Sequence, residues 1–478
     1  MRTNDTLIFV PTYNEAENVE RLVAQLNALN LEIDILFIDD NSPDGTGNIL
    51  NELARKYVNL TVIHRQGKSG IGSAHLDGIR YAYRQGYTRL VTMDSDFTHS
   101  PENIHDMLAC SDKYDVVLGS RYIQKDSLIE WNLFRTIITK TGHFLTENLL
   151  AMPYDATGAF RLYRLDKIPS YAFQIVRSLG YSFFFESLYT LHLNGYKIKE
   201  IPIFLPARTY GHSKMTWREA FKSLKQLGRI YFNTLFNRSQ FDIVEPFIPS
   251  GEAMIPDKQG WDEYWSDKDA PGGVVYNMIA AFYRRFIIKP SLNHFIRKHF
   301  QPGANVLHAG CGSGQVDTDV NEYVMVTALD VSAKALTMYK RVNKSIPNER
   351  IIQANIFSLP FDDETVDGIY NLGVVEHFTK DDIQTILREF RRVLKAGGKV
   401  IIFWPPTFGV TTNFLDGVHF ILNNILKKNI KLHPDEISRL QSKEYAKSLC
   451  EPVGYIMIDY YFGLRDLGTQ AVVVLQRT

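Results

Sequence analysis

LVTMDSDFTHSP, residues 90–101, decides how the first half of this chain is read. The run Leu90–Met93 passes directly into Asp94-Ser95-Asp96. A short apolar run suits a buried strand, yet this one leaves on two carboxylates two residues apart. Asp96 alone could be a turn residue or a helix cap, although Thr98 and Ser100 are better placed to cap a helix starting near Pro101. What the neighbouring strands carry at their exits settles the choice.

Leu7–Val10, Ile33–Ile38, Thr61–His64 and Val116–Gly119 have the same apolar character. Between the first two, Val19, Leu22, Val23, Leu26 and Leu29 recur at helical spacing. Such alternation predicts a mostly parallel sheet with helices on both faces. Ligands of open α/β sheets bind outside the carboxyl ends of the strands. Those ends read Pro11-Thr12-Tyr13-Asn14-Glu15, Asp39-Asp40, Asp94-Ser95-Asp96 and Gly119-Ser120-Arg121. Four of five exits thus carry acids or Arg, which a purely structural turn does not require. Two close carboxylates with no Cys beside them suit a hard divalent cation, Mg²⁺ or Mn²⁺, held together with phosphate oxygens. A diphosphate is the natural ligand. No G-x-x-x-x-G-K-[ST] loop is present. Gly67-Lys68-Ser69-Gly70-Ile71-Gly72 reads either as a phosphate loop or as a tight helix start.

The composition is that of a soluble globular protein: 478 residues, 45% apolar, 22% charged and no net charge. Length alone suggests about three domains. Net neutrality gives no reason to expect nucleic acid. Cys110, Cys311 and Cys450 lie too far apart for a disulfide framework or a metal motif, which fits a reducing compartment. MRTNDTLIFVP at the N-terminus goes straight into a strand, with no room for a signal peptide. No stretch of about 18 residues is both apolar and uncharged. The expected location is cytoplasmic, peripheral on the cytoplasmic face of a membrane.

Residues 237–260, with Pro246, Pro249, Pro256, Gly251 and Gly260, read as a linker between domains 1–236 and 261–478. Beyond it, strands are expected at Asn305–His308, Val324–Asp330, Ile351–Ala354, Gly368–Leu372, Lys399–Trp404, Tyr455–Tyr460 and Gln470–Leu475. VLHAGCGSGQ, 306–315, sets three glycines after a strand, and Asp330 ends the next strand 20 residues after Gly310. A glycine turn with an acid at that distance fits an adenosine-ribose site. An NAD site is the competing reading.

Several motifs occur in order: PTYNE (11–15), IDDNSPDGT (38–46), GKSGIGSAHLDGI (67–79), MDSDFTHSPENI (93–104), GSRY (119–122), DATGAFRLYR (155–164) and RTYGHSK (208–214). Over about residues 5–230 the chain resembles the polyprenyl-phosphate sugar synthases of the family 2 glycosyltransferases, the dolichol-phosphate mannose synthases above all. The resemblance implies a GT-A fold, a nucleotide-sugar donor such as GDP-mannose and a polyprenyl-phosphate acceptor. It implies a nucleoside site at Pro11, Tyr13, Glu15, Ile38 and Asp40. It also implies a diphosphate and metal site at Asp94, Ser95 and Asp96, and Arg208 and Lys214 closing over the donor. Arg121, Arg135 and Thr139 would receive the acceptor phosphate, with Asp96, Arg121 and Arg135 as the catalytic set. Thr98 departs from the family, where Gln or Ser often stands on the metal side. His99 reads as structural. UDP-glucose or a protein or glycan acceptor are the alternatives, although the Q-x-x-R-W of processive synthases is missing.

QANIFSLPF (353–361), YNLGVVEHF (370–378) and EFRRVLKAGGKVIIFWP (389–405) oppose NAD. With the glycine loop they resemble class I S-adenosylmethionine methyltransferases over about 261–478, a Rossmann-like fold. That implies Gly310, Gly312 and Gly314 along the methionine part, Asp330 on the ribose and Asn355 facing the adenine. His308 stands where relatives carry Asp or Glu. A non-catalytic binding module is the alternative. Glu376 and His377 read as acceptor-site groups or as a plain strand-to-helix junction, and 406–450 as an acceptor lid.

A lipid acceptor requires contact with a bilayer. Residues 216–238 set Trp217, Phe221, Leu224, Tyr231 and Leu235 at helical spacing among Arg218, Lys222, Lys225, Arg229 and Arg238. Such a helix lies in an interface or docks on its own domain. Leu128–Met152, which contains Arg135, is a second candidate.

Overall fold

The computed structural model describes residues 4–124, 133–204, 217–247, 261, 265, 282–409 and 436–478, with the side chains of 133–138 and 217–218 excepted. The chain forms two compact units, Met1–Ile243 and Val244–Thr478, where length alone suggested about three.

The first unit holds strands β1 (Thr6–Thr12), β2 (Ile33–Asp39), β3 (Leu60–His64), β4 (Arg89–Thr92), β5 (Val116–Ser120), β6 (Arg161–Arg164) and β7 (Ile198–Pro202). They form one sheet in the order β3-β2-β1-β4-β6-β5-β7. Side chains alternate across a strand. Leu7 and Phe9 of β1 therefore enter one core, and Ile8 and Val10 enter the core on the opposite face. Helices α1 (Val19–Ala28), α2 (Thr46–Lys56) and α4 (Asn103–Cys110) cover the second face. Helices α3 (Ile71–Arg84), α6 (Ser182–Leu193) and α7 (Trp217–Asn237) cover the first. Helix α5 (Leu133–Leu150) packs beside α7.

β1 pairs in parallel with β2 on one side and β4 on the other. Pro11–Glu15 and Asp94–Asp96 therefore leave adjacent strands at the same edge. That reversal of strand order is where α/β sheets open a ligand crevice. The sheet is mixed and not simply parallel, because β6 runs antiparallel to both β4 and β5. Periodicity could not reveal β6. RLYR has an Arg at each end, yet Arg161 is 1% exposed. Its buried charge is met by the carbonyls of Gly158 (2.8 Å) and Ala156 (2.8 Å) and by Ser187 Oγ (3.2 Å). The segment read as linker begins on the first unit. Asn237 ends α7, Phe241 is buried, and Ile243 N donates to Asn194 Oδ1 at 2.9 Å.

The second unit holds β8 (Asn305–Ala309), β9 (Met325–Asp330), β10 (Ile351–Gln353), β11 (Val366–Leu372), β12 (Leu394–Trp404), β13 (Tyr455–Tyr461) and β14 (Ala471–Arg477). Their order is β10-β9-β8-β11-β12-β14-β13. The first five pair in parallel, and β14 is antiparallel to both of its neighbours. Here the reversal of order falls between β8 and β11, next to the glycine loop. The layout is the doubly wound α/β arrangement expected from the alternation.

Gly67–Gly72 forms a tight helix start. Gly70 caps α3 at φ 97°, and a Cβ on Gly72 would lie 2.6 Å from Phe183 Cβ and 2.8 Å from the Gly180 carbonyl oxygen. Gly72→Ala should destabilise the first unit by about 1–3 kcal/mol, the usual cost of overpacking. Thermal unfolding measures it. A change under about 0.5 kcal/mol, the range of neutral surface changes, would show that the α3–α6 contact has room to spare.

Candidate active sites

In the first unit the adjacent acids Asp39 and Asp40 divide the work. Alternation turns them to opposite faces. Asp39 is structural: it accepts from Thr12 Oγ1 (3.2 Å), Ser42 Oγ (2.5 Å) and Ser42 N (3.0 Å). Asp40 is buried against Arg65, whose Nη1 lies 3.1 Å from Oδ1. Burial raises the Asp40 carboxyl above its ordinary range, against the pull of Arg65. Lys68 Nζ stands 4.3 Å over the Tyr13 ring. Asp40, Tyr13, Arg65 and Lys68 thus form one cluster at the ends of β1, β2 and β3. The sequence reading named only the first two as site residues. Arg65 had a usable signal, since it too follows a strand end. Pro11 is buried beside this cluster and Ile38 packs in the core.

The loops around it are tied together. Asn14 N donates to Ser42 Oγ (3.0 Å), Glu15 N to Thr46 Oγ1 (2.9 Å) and Ala16 N to Asp44 Oδ2 (3.0 Å). Asn14 and Asn41 both adopt the left-handed backbone that Asn tolerates.

At the β4 exit Asp94 is half-buried, and Ser95 and Asp96 are buried. Asp96 Oδ1 accepts from Thr98 N (3.2 Å) and Thr98 Oγ1 (2.6 Å). Thr98, where the resembling family often carries Gln or Ser, orients the Asp96 carboxylate. His99 is structural: Nδ1 accepts from Asp94 N (3.1 Å) and its ring stacks on Phe160 at 5.0 Å. Among the described residues no group of three or more His, Cys, Asp and Glu is arranged to hold a metal. A hard ion that completes its shell with phosphate and water needs only one or two carboxylates. The donor chemistry of Asp94 and Asp96 fits that pattern.

Arg121 Nε donates to Asp155 Oδ2 at 2.6 Å, and Asp155 is itself oriented by its own N–H donating to Glu200 Oε1 at 2.7 Å. Burial pulls the Arg121 guanidinium down, but Asp155, with Tyr122 and Asp94, more than offsets it and holds the group above its ordinary value. Asp155 had not been singled out. Tyr122, next in the chain, stacks on His143 at 4.0 Å and donates to the Thr139 carbonyl at 3.1 Å. That contact brings Thr139 of α5 to the Arg121 turn, and Arg135 lies one helical turn ahead of Thr139. Arg208, Lys214 and Trp131 lie outside the described residues, as do the side chains of Arg135 and Trp217.

Helix α7 docks on its own domain and leaves an apolar and basic face exposed. Leu227 and Ile230 are buried in the first unit's core. Phe221 (71% exposed), Leu224 (52%), Phe232 (39%) and Leu235 (53%) face outward beside Lys222 and Lys225, which are exposed. On α5, Phe144 is 61% exposed. Among the described residues no helix is long and apolar enough to cross a membrane.

In the second unit a cavity of about 540 Å³ is lined by Gly310, Gly312, Gly314, Asp330 and Asn355, with His308, Arg284 and His377. That volume suits a nucleoside-sized ligand. All three glycines have positive φ. A Cβ on Gly310 would lie 2.6 Å from Val374 Cγ2, and one on Gly314 would lie 2.2 Å from Tyr339 Cδ2. The loop is thus a cradle that only glycine can form. Asp330 accepts from Gly312 N (2.8 Å) and Ser332 N (2.9 Å). Burial raises its carboxyl even so. Each oxygen keeps a second lone pair for a hydroxyl donor. Asn355 Oδ1 accepts from Phe357 N (3.0 Å), and its remaining lone pair is the one an adenine amino group would use. The anticipated lid, 406–450, is described only at 406–409 and 436–450.

Residues 7–177 match the family Glycosyl transferase family 2, and residues 307–402 match a methyltransferase domain. Polyprenol monophosphomannose synthase of Mycolicibacterium smegmatis is 35% identical over 232 residues, 47% of this chain and 88% of that protein. Undecaprenyl-phosphate mannosyltransferase of Micrococcus luteus is 33% identical over 211 residues, 44% of this chain and 87% of that protein.

Glu376 and His377 separate. His377 lines the cavity, whereas Glu376 is 3% exposed and its Oε2 has no partner among the described residues. Burial pushes its carboxyl up to about 8. The folded state thus binds a proton that the unfolded state releases near the ordinary Glu value. Stability from this group is present below that value and is lost as pH rises toward 8. Glu376→Gln should raise the second unit's melting temperature at pH 9 and change it little at pH 5. Equal shifts at both pH values would show that the carboxyl is not protonated in the folded state.

Proposed function

The chain belongs to glycosyl transferase family 2 and carries a methyltransferase domain in its second unit, and we propose that it joins two transfers in one polypeptide. The first unit moves mannose from GDP-mannose to a polyprenyl phosphate with inversion. The second uses S-adenosylmethionine as methyl donor. The observation that carries the first half is the Asp94/Asp96 pair at the β1–β4 reversal, next to the Asp40 pocket. The names of the two relatives support the choice of sugar and lipid.

The chemistry follows from the charges. A polyprenyl monophosphate is largely dianionic at neutral pH, since its second pKa is about 6. Its oxygen attacks the anomeric carbon as the bond to the nucleotide diphosphate breaks on the opposite side. No protein base is required, and His99 is occupied structurally. A bound Mg²⁺ or Mn²⁺ would neutralise charge on the leaving diphosphate. Asp94 and Asp96 would hold it, and Arg208 and Lys214 would close over the same phosphates. Arg121, fixed by Asp155, offers its guanidinium to the acceptor phosphate together with Arg135 and Thr139. Phe221, Leu224 and Leu235 rest in a bilayer surface, with Lys222 and Lys225 on anionic headgroups. On this reading the protein sits peripherally on the cytoplasmic face of a membrane. In the second unit Gly310, Gly312, Gly314, Asp330 and Asn355 hold the cofactor.

The test is transfer of labelled sugar to a short polyprenyl phosphate, recovered in organic solvent, with GDP-mannose and UDP-glucose compared. GDP-mannose should be the better donor. A preference for UDP-glucose, or label reaching only a water-soluble acceptor, would overturn the assignment. Asp96→Ala should abolish transfer while leaving the melting temperature of the first unit within a few degrees. Near wild-type transfer by this variant in Mg²⁺ would remove Asp96 from the site.

A further inference from the structure

The second unit departs from its family at His308, and the structure supplies a carboxylate from elsewhere. His308 Nδ1 lies 2.7 Å from Asp317 Oδ2, nine residues on. Asp317 is fully buried and also accepts from Tyr339 Oη at 2.8 Å. The Tyr370 ring stacks on the imidazole at 4.3 Å. One nitrogen and one face of the ring are therefore fixed, and His308 lines the cavity with Gly310, Gly312 and Gly314.

We infer that His308 and Asp317 together replace a single cofactor-binding carboxylate, with His308 Nε2 accepting a hydrogen bond from the α-ammonium of S-adenosylmethionine. This rests on the cofactor reading above. A carboxylate only accepts, so Asp317 keeps the ring proton on Nδ1. In the neutral ring Nε2 then carries the lone pair, and no described residue pairs with it. Asp330 and Asn355 take the ribose and adenine, and the glycine loop, His308 and Arg284 are among the groups that line the rest of the cavity. Asp317 stands one ring behind Nε2 and gives that end of the cavity a negative charge to meet an ammonium. Arg284 Nη1 donates to Gln315 Oε1 at 3.4 Å, and its guanidinium suits the methionine carboxylate. The same geometry explains why residue 308 is not an acid here. A carboxylate at that position would face buried Asp317, and two like charges at that range cannot both stay ionised.

Calorimetry on the full-length chain tests the inference with three ligands. S-adenosylmethionine has both groups, its decarboxylated form keeps only the ammonium, and methylthioadenosine has neither. His308→Phe with Asp317→Asn keeps the ring shape and the Tyr339 partner but removes the acceptor. It should weaken the first two ligands by about tenfold to a hundredfold, the worth of one charge-assisted hydrogen bond, and methylthioadenosine by less than about threefold. His308→Asp with Asp317→Asn moves the carboxylate to residue 308 and should bind S-adenosylmethionine within about threefold of wild type. If the first pair fails to fold, the second pair decides. Equal loss of all three ligands would reduce His308 to a packing residue and overturn the inference. Loss confined to S-adenosylmethionine, with the decarboxylated form spared, would mean that His308 reads the carboxylate, and overturns it equally. A wild-type chain that binds none of the three would overturn the cofactor reading and this inference with it.

Discussion

The parallel pairing of β1 with both of its neighbours sets the position of everything else in the first unit. It forces two strand exits to the same edge, and the backbone there must end its ladder in the open. Polar side chains gather at that edge because the unpaired groups need partners and a ligand can supply them. The second unit obeys the same constraint with a different loop. There β8 pairs in parallel with β9 and β11, and the exit of β8 is the glycine cradle.

In both units acids work in layers. Asp39, Asp155 and Asp317 face inward and hold other groups in place. Asp40, Asp94, Asp96 and Asp330 stand at the edge. A buried acid without a partner is costly, and each inward acid makes at least two hydrogen bonds, those of Asp317 both falling on Oδ2. Arg121 shows what that achieves. Its Nε is committed to Asp155, so the guanidinium is held in one orientation, and less ordering would remain to be done on binding a ligand. Asp96 is oriented in the same way by the backbone and hydroxyl of Thr98.

Much of this was legible in the sequence for a physical reason. Leu7–Val10 and Ile35–Ile38 are buried on both faces, so they read as continuous apolar runs. Acids placed directly after such runs marked the edge. The elements that stayed hidden are those whose logic is not periodic. β6 is an antiparallel strand begun by a fully buried Arg161, whose partners come from a loop and from α6. Arg65 follows a strand end in the sequence, but its meeting with Asp40 depends on β3 lying beside β2. Asp317 is invisible as a partner of His308 until the loop folds back. Glu376 and His377 are adjacent in sequence, and only the turn at Val375–His377 sends one into the core and the other to the cavity.

The most direct measurement is a crystal structure of the full-length chain with GDP and Mg²⁺. The guanosine is predicted to lie against Asp40 and Tyr13, with the diphosphate at the β1–β4 edge and the ion bound by Asp94 or Asp96. GDP bound elsewhere, or an ion at the diphosphate that touches neither carboxylate, would contradict the placement of the donor site.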